Sequence, residues 1–185
     1  REAMQLLMGY NSFNGYVWNK LFDLQLIRKN DIRFHADYPA CEDTMFVGSY
    51  LYHCSRVCVT EECLYCYRQV SGGANRGRYS GRKAYDPKWM SVFEMTEYMA
   101  DLYKDDAVTA ACRLHEVREA GIVLRSMEAA GYHGADHARL KGILRRGAGL
   151  FFRDENSGRS QKLSVLLSCI SPKLELAVWK LRNRK

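Results

Sequence analysis

Residues Asp31 to Phe46 read DIRFHADYPACEDTMF. Ile32-Arg33-Phe34 alternates apolar, basic and apolar, the period of a short half-buried strand. A polar loop follows and closes on Glu42-Asp43-Thr44. An apolar segment then opens and runs to about His53. Asp43 or Thr44 suits the cap of that helix. The unpaired N–H groups and the dipole of a helix N-terminus favour a negative charge there. Acidic residues at the mouth of a helix, just after a strand, are therefore well placed for chemistry.

The flanks extend this α/β pattern. Arg1 to Met8 is apolar with helical spacing, and Tyr10 to Gly15 is a polar loop. In Tyr16 to Asn30, the residues Trp18, Leu21, Phe22 and Leu26 follow the spacing of a half-buried helix. Arg28 and Lys29 suit its last turn, and Asn30 its end. Beyond His53, Val57 to Thr60 reads as a strand, Glu61-Glu62 as a turn and Cys63 to Gln69 as a second strand. Ser71 to Arg82, SGGANRGRYSGR, is a glycine-rich basic loop and the clearest boundary in the chain.

From Asp86-Pro87, a good helix start, the pattern is helical. Trp89, Val92, Met99 and Leu102 form one stripe with Phe93 and Met95. Ala107, Ala110, Leu114 and Val117 form a second, and Leu140, Ile143 and Leu144 a third. Gly147-Ala148-Gly149 should break that helix. Leu163, Leu166, Leu167 and Ile170 precede Pro172, and Leu174, Val178 and Leu181 make the last stripe. The expected organisation is an α/β part over 1–70 with a few short strands, a loop over 71–85 and a helical region over 86–185.

The chain has 185 residues, 47% hydrophobic and 26% charged, a globular balance. It opens on Arg1 with no secretory signal, and reads as a piece of a longer protein. Its formal charge is +7, unevenly spread. Residues 139–185 carry twelve Lys or Arg against Asp154, Glu155 and Glu175, which leaves the rest slightly acidic. A basic end suits an anionic partner such as lipid, nucleic acid or a phosphorylated substrate; a solubilising tail is the plainer reading. No apolar run approaches the roughly 20 residues of a membrane span.

Seven cysteines without a secretory signal point to reduced thiols in a cytoplasmic protein. Cys54, Cys58, Cys63 and Cys66 raise zinc as a possibility, but Cys63 and Cys66 would face opposite sides of a strand. His133 and His137 share a spacing that suits one helix face, although Gly134 between them suits a loop equally well. No metal ligand is assigned on this reading.

Four pieces in order, Val17-Trp18-Asn19-Lys20-Leu21-Phe22, Ile32-Arg33-Phe34, Glu42-Asp43-Thr44-Met45-Phe46 and Leu64-Tyr65-Cys66-Tyr67-Arg68 followed by Ser71, resemble the acceptor-side half of bacterial family 2 glycosyltransferases. The resemblance covers Tyr16 to Ser71 and then fades. It implies a GT-A (Rossmann-like) fold and inverting transfer of a sugar from a nucleoside-diphosphate sugar to a saccharide or lipid-linked acceptor, as in cell-surface polysaccharide synthesis. It implies Asp43 as general base, with Glu42 beside it. It also implies a divalent metal, Mg or Mn, held by an Asp-x-Asp motif. No Asp-x-Asp occurs here, so those ligands would lie outside this chain.

A sugar hydroxyl is a poor nucleophile, and a positioned carboxylate can take its proton as the new bond forms. Asp43 as a simple cap, stabilising by about 1 kcal/mol, is the plainer alternative. Lys20, Arg68 and Arg76, with Arg78 and Arg82, could offset charge on a departing diphosphate. Lys20 could equally be a surface residue, and the loop arginines a solvated linker. Trp18 could stack on a sugar or belong to the core. His35 and Ser71 are further candidates for substrate contact. On this reading the basic tail over 139–185 lies against the inner face of the membrane. No nucleic acid is involved. The competing reading is a helical nucleic-acid-binding or protein-interaction module without catalysis.

Overall fold

The computed structural model describes residues 1–9, 14–68 and 85–183. Among them every regular element is helical. The expected α/β, GT-A-like half is therefore corrected: Ile32-Arg33-Phe34, Val57 to Thr60 and Cys63 to Arg68 form no strand. Alternation marks a segment that can be a strand. Becoming one requires a neighbour to take its N–H and C=O groups, and none of these segments has a paired neighbour among the described residues. Thr60 to Leu64 keeps only local bonds, from the Glu62 N–H to Thr60 Oγ1 at 3.2 Å and from the Leu64 N–H to the Glu62 carbonyl at 3.0 Å.

The chain divides into two compact units. The first takes Arg1–Gln69 and Lys88–Cys112, the second Val70–Pro87 and Arg113–Lys185. The first contains α1 (Glu2–Met8), α2 (Leu24–Lys29), α3 (Glu42–His53), a 3-10 turn over Pro87–Met90 that opens at the boundary, and α4 (Ser91–Tyr103). The long α5 (Asp106–Ala130) begins in this unit and continues into the second. Met4, Met8, Met45, Met95 and Met99 fill the first core with Leu7, Val47, Leu51, Val92 and Tyr103. Methionine adapts to irregular gaps, which suits the packing of short helices. Gly48 brings α3 close to α4: a Cβ there would lie 2.7 Å from Met99 Sδ, and the Gly48 carbonyl accepts the Tyr103 hydroxyl at 2.8 Å.

The expected helix over Tyr16 to Asn30 is much shorter. Asp23 caps α2 by accepting the Gln25 N–H at 2.8 Å, and Trp18 and Leu21 lie outside the helix. An Asp before an apolar turn gives the backbone a local partner and starts the helix late.

The second unit holds the rest of α5, α6 (Ala135–Arg153), α7 (Arg159–Ile170) and α8 (Pro172–Arg182). Its buried side chains include Val123, Leu124, Met127, Leu140, Leu144, Phe151 and Val165. The expected break at Gly147-Ala148-Gly149 does not occur, and α6 runs through it. A Cβ on Gly147 would stand 2.2 Å from Val117 Cγ2, so this glycine permits a close approach of α6 to α5. The stripe on α7 is amphipathic as expected but faces outward. Leu163 and Ile170 are 43% and 67% exposed, while Val165 and Ser168 are buried. The inner side is set by a polar network. Arg125 donates to Glu175 Oε1 at 2.8 Å, and the Ser164 hydroxyl donates to the same oxygen at 2.7 Å.

Candidate functional site

Four separated stretches meet around the start of α3. Asn14 to Lys20 forms a loop seated on the helix mouth, where an added Cβ on Gly15 would stand 2.0 Å from Thr44 Oγ1. Only a glycine permits this approach, because any side chain would displace the loop or Thr44. Lys20 closes the loop on itself. Its Nζ donates to the carbonyls of Asn14 and Tyr16 at 2.7 Å each and to Asn19 Oδ1 at 2.8 Å. Burial pushes the Lys20 ammonium down to about 8, with the charge of Asp43 pulling the other way. Lys20 is thus electrostatically coupled to Asp43, and its three N–H donors hold the loop.

Glu42 and Asp43 are the first two residues of α3, and Cys41 takes the cap position without a side-chain cap bond. Asp43 is therefore inside the first turn and is not its cap. Glu42 is exposed and Asp43 half-buried. At that end of a helix both carboxylates face the positive pole of the dipole.

Aromatic rings tie the pieces together. Trp18 lies 5.4 Å from Tyr16, 4.7 Å from Tyr65 and 4.8 Å from Tyr67 between ring centroids, and the contacts with Tyr16 and Tyr67 are stacked. Tyr16, Tyr65 and Tyr67 remain exposed, so the tyrosines present the open ring surface and Trp18 is their support. Phe34 stacks on Phe46 at 4.4 Å, and Phe22 meets the Phe46 ring edge-on at 5.3 Å. Offset and edge-on pairs of this kind contribute about 0.5–1.5 kcal/mol each beyond their buried area.

The other expected site residues lie as follows. His35 is half-buried, with its ring near Tyr38 and Tyr98 at 6.1 and 6.2 Å. Arg68 is exposed. Ser71, Arg76, Arg78 and Arg82 lie outside the described residues.

Among the described residues no set of three or more metal-ligating side chains gathers around Asp43, whose charged neighbour is the Lys20 ammonium. The cysteines do not converge either. None of the seven forms a disulfide, and Cys58, Cys63 and Cys66 are exposed. The described side chains contain a single group fit to hold a metal, Glu128 with His133 and His137, in the second unit.

No family model, curated protein or solved structure matches the chain. What the site can do follows from its own residues. Exposed tyrosine rings can stack on the C–H faces of a sugar. Carboxylates at a helix mouth can accept bonds from its hydroxyls and take a proton from one of them. Sequence reasoning missed Tyr16 and Gly15 as parts of this site, and nothing in the spacing of either residue marks it.

Proposed function

We propose that this chain forms the acceptor-binding part of an inverting glycosyltransferase, in which Asp43 takes the proton of the acceptor hydroxyl as that oxygen attacks the donor sugar. The observation that carries the reading is the convergence of the four stretches. Trp18 with Tyr65 and Tyr67, Phe22 and Phe34 with Phe46, and Lys20 with Asp43 all join pieces far apart in sequence. The result is an open aromatic surface beside an acidic helix mouth, a combination suited to a saccharide. Glu42 stands beside the base and can orient a second hydroxyl. The donor is a nucleoside-diphosphate sugar. No step is assigned to a metal ion, because none of the described residues around Asp43 suits one.

The second unit supports attachment to an anionic membrane surface. No helix of the described residues is long and apolar enough to cross a membrane. On α7, Leu163, Leu166 and Ile170 share one exposed face with Arg159; on α8, Leu174 and Leu181 are exposed with Lys173 and Lys180 nearby. Outward leucines flanked by basic side chains fit a helix lying in the headgroup region, which is also where a lipid-linked acceptor is found.

The test is saccharide binding followed by tryptophan fluorescence and by glycan array. Oligosaccharide binding lost in Tyr65→Ala/Tyr67→Ala, and kept in Asp43→Asn, is the expected result; absence of saccharide binding at millimolar concentration would overturn the reading. For the membrane part, the chain should sediment with phosphatidylglycerol vesicles at low salt, and Leu163→Ser/Leu166→Ser should release it. Equal, salt-dependent binding to duplex DNA of any sequence would instead favour a nucleic-acid module.

A further inference from the structure

The turn between α5 and α6 gathers three metal-binding side chains. Glu128 lies in the last turn of α5. Gly131, at φ 68°, reverses the chain as the Gly131 N–H bonds to the Glu128 carbonyl at 3.2 Å and the Tyr132 N–H to the Met127 carbonyl at 2.9 Å. This pairing ends a helix firmly when a glycine takes the left-handed position. Gly134 then starts α6, and a Cβ there would stand 2.4 Å from Tyr132 Oη. The two glycines fix the path that delivers His133 from the turn and His137 from the first turn of α6.

The donor atoms of all three lie within 4.8 Å of one another. Glu128 Oε1 is 2.8 Å from His137 Nε2 and 3.8 Å from His133 Nδ1. The two imidazole rings cross at 82° with centroids 5.0 Å apart. In a tetrahedral zinc site with bonds of about 2.0–2.2 Å, neighbouring donors stand roughly 3.4 Å apart. The observed pair distances bracket that value, so small side-chain rotations suffice to admit the ion. The Glu128 side chain is only 4% exposed and that of His137 12%, whereas that of His133 is 48% exposed. A nearly buried carboxylate thus anchors the site from below and His133 closes it from the solvent side. The group opens into a pocket of about 300 Å³ that Lys141, Ile170, Pro172 and Lys173 also line.

We propose that Glu128, His133 and His137 form a zinc site whose fourth position faces this pocket. Two imidazoles and one carboxylate suit zinc among the common divalent ions; magnesium and calcium prefer oxygen donors alone. The lysines at the open side favour an anionic fourth ligand.

The test uses the whole chain with Cys58→Ser, Cys63→Ser and Cys66→Ser, so that exposed thiols cannot take the metal. Zinc uptake is measured by equilibrium dialysis, and cobalt is used as a spectroscopic probe. One equivalent of zinc should bind. Cobalt should give visible bands of a tetrahedral site without the near-ultraviolet bands of thiolate ligation. His133→Ala, which removes an exposed ring and little packing, should weaken zinc binding about a hundredfold or more, since loss of a mere supporting contact costs 10–100-fold. Glu128→Gln should weaken it as well. Zinc binding equal to the parent in a His133→Ala protein of unchanged helix content, or no zinc uptake by the parent, overturns the proposal and leaves the His137–Glu128 contact as a staple of the turn.

Discussion

Removing the Glu175 carboxylate should unfold the second unit far more readily than its position near the C-terminus suggests. Glu175 Oε1 receives Arg125 Nη1 at 2.8 Å, and the two side chains are only 3% and 9% exposed. The gross attraction of unit charges at that distance is about 6 kcal/mol for an effective dielectric constant of about 20. Desolvation of both groups offsets most of it. The consequence appears when one partner is removed. Glu175→Ala leaves a buried guanidinium without its counter-charge and the Ser164 hydroxyl without its acceptor, at an expected cost of about 3–5 kcal/mol. Arg125 also lies 5.0 Å from the Trp179 ring, a contact that cannot compensate for the missing carboxylate. The other oxygen, Glu175 Oε2, is buried without a hydrogen-bond partner among the described residues, so the network is imperfectly satisfied even in the native protein. Replacing the whole pair, as in Arg125→Met/Glu175→Leu, should therefore come within about 1 kcal/mol of the parent or exceed it. Urea unfolding followed by far-ultraviolet circular dichroism measures these differences, and hydrogen exchange of α5, α7 and α8 locates them. A Glu175→Ala protein destabilised by less than about 1 kcal/mol would mean that the pair behaves like a surface ion pair. A double variant as unstable as the single would mean that charge compensation is not the cause.

Four further outcomes follow from contacts in the two units. Lys20, with its ammonium lowered to about 8, should react with acetic anhydride near pH 8.5 well ahead of the ordinary lysines, whose amines are free only near 10.5; the order of labelling by mass spectrometry checks this. The folded chain loses that proton at a lower pH than the unfolded chain, so Lys20 contributes stability that rises between about 8 and 10.5, and Lys20→Met should flatten that part of the profile. Gly15→Ala, whose Cβ would meet Thr44 at 2.0 Å, should lift the loop from α3 and return Lys20 to ordinary reactivity with little change in helix content. Gly147→Ala should destabilise by about 1–2 kcal/mol in urea, because overpacking against Val117 exceeds the helix-propensity gain of about 1 kcal/mol, and Val117→Ala should relieve it.

The helices after Pro87 were legible because their apolar residues recur at helical spacing, and α1 and α3 were legible for the same reason. The strands were not. Ile32 to Phe34 and Cys63 to Arg68 carry alternation, but a strand exists only through a partner, and a local pattern carries no information about one. The site was half legible. The acidic pair at the start of α3 stands out in sequence, whereas the seating of Gly15 on Thr44 and the gathering of Tyr16, Tyr65 and Tyr67 around Trp18 depend on residues up to about fifty positions apart. His133 and His137 are visible as a pair, but their third member, Glu128, joins them only because Gly131 turns the chain.

By itself the sequence determined that the region after Pro87 is helical, where the basic charge accumulates and which carboxylates stand at the start of α3, since spacing and charge are local properties. The apolar stripes of α4 and α6 are the buried faces that their spacing predicts, with Val92, Met95 and Met99 inside on one and Leu140 and Leu144 on the other; on α7 only the tertiary structure decided which face is inside. On α7, Leu163 and Leu166 are exposed, while on the opposite side Val165 is buried and Ser164 reaches the Glu175 carboxylate that also holds Arg125. A buried charge needs its partner more than an exposed leucine needs cover.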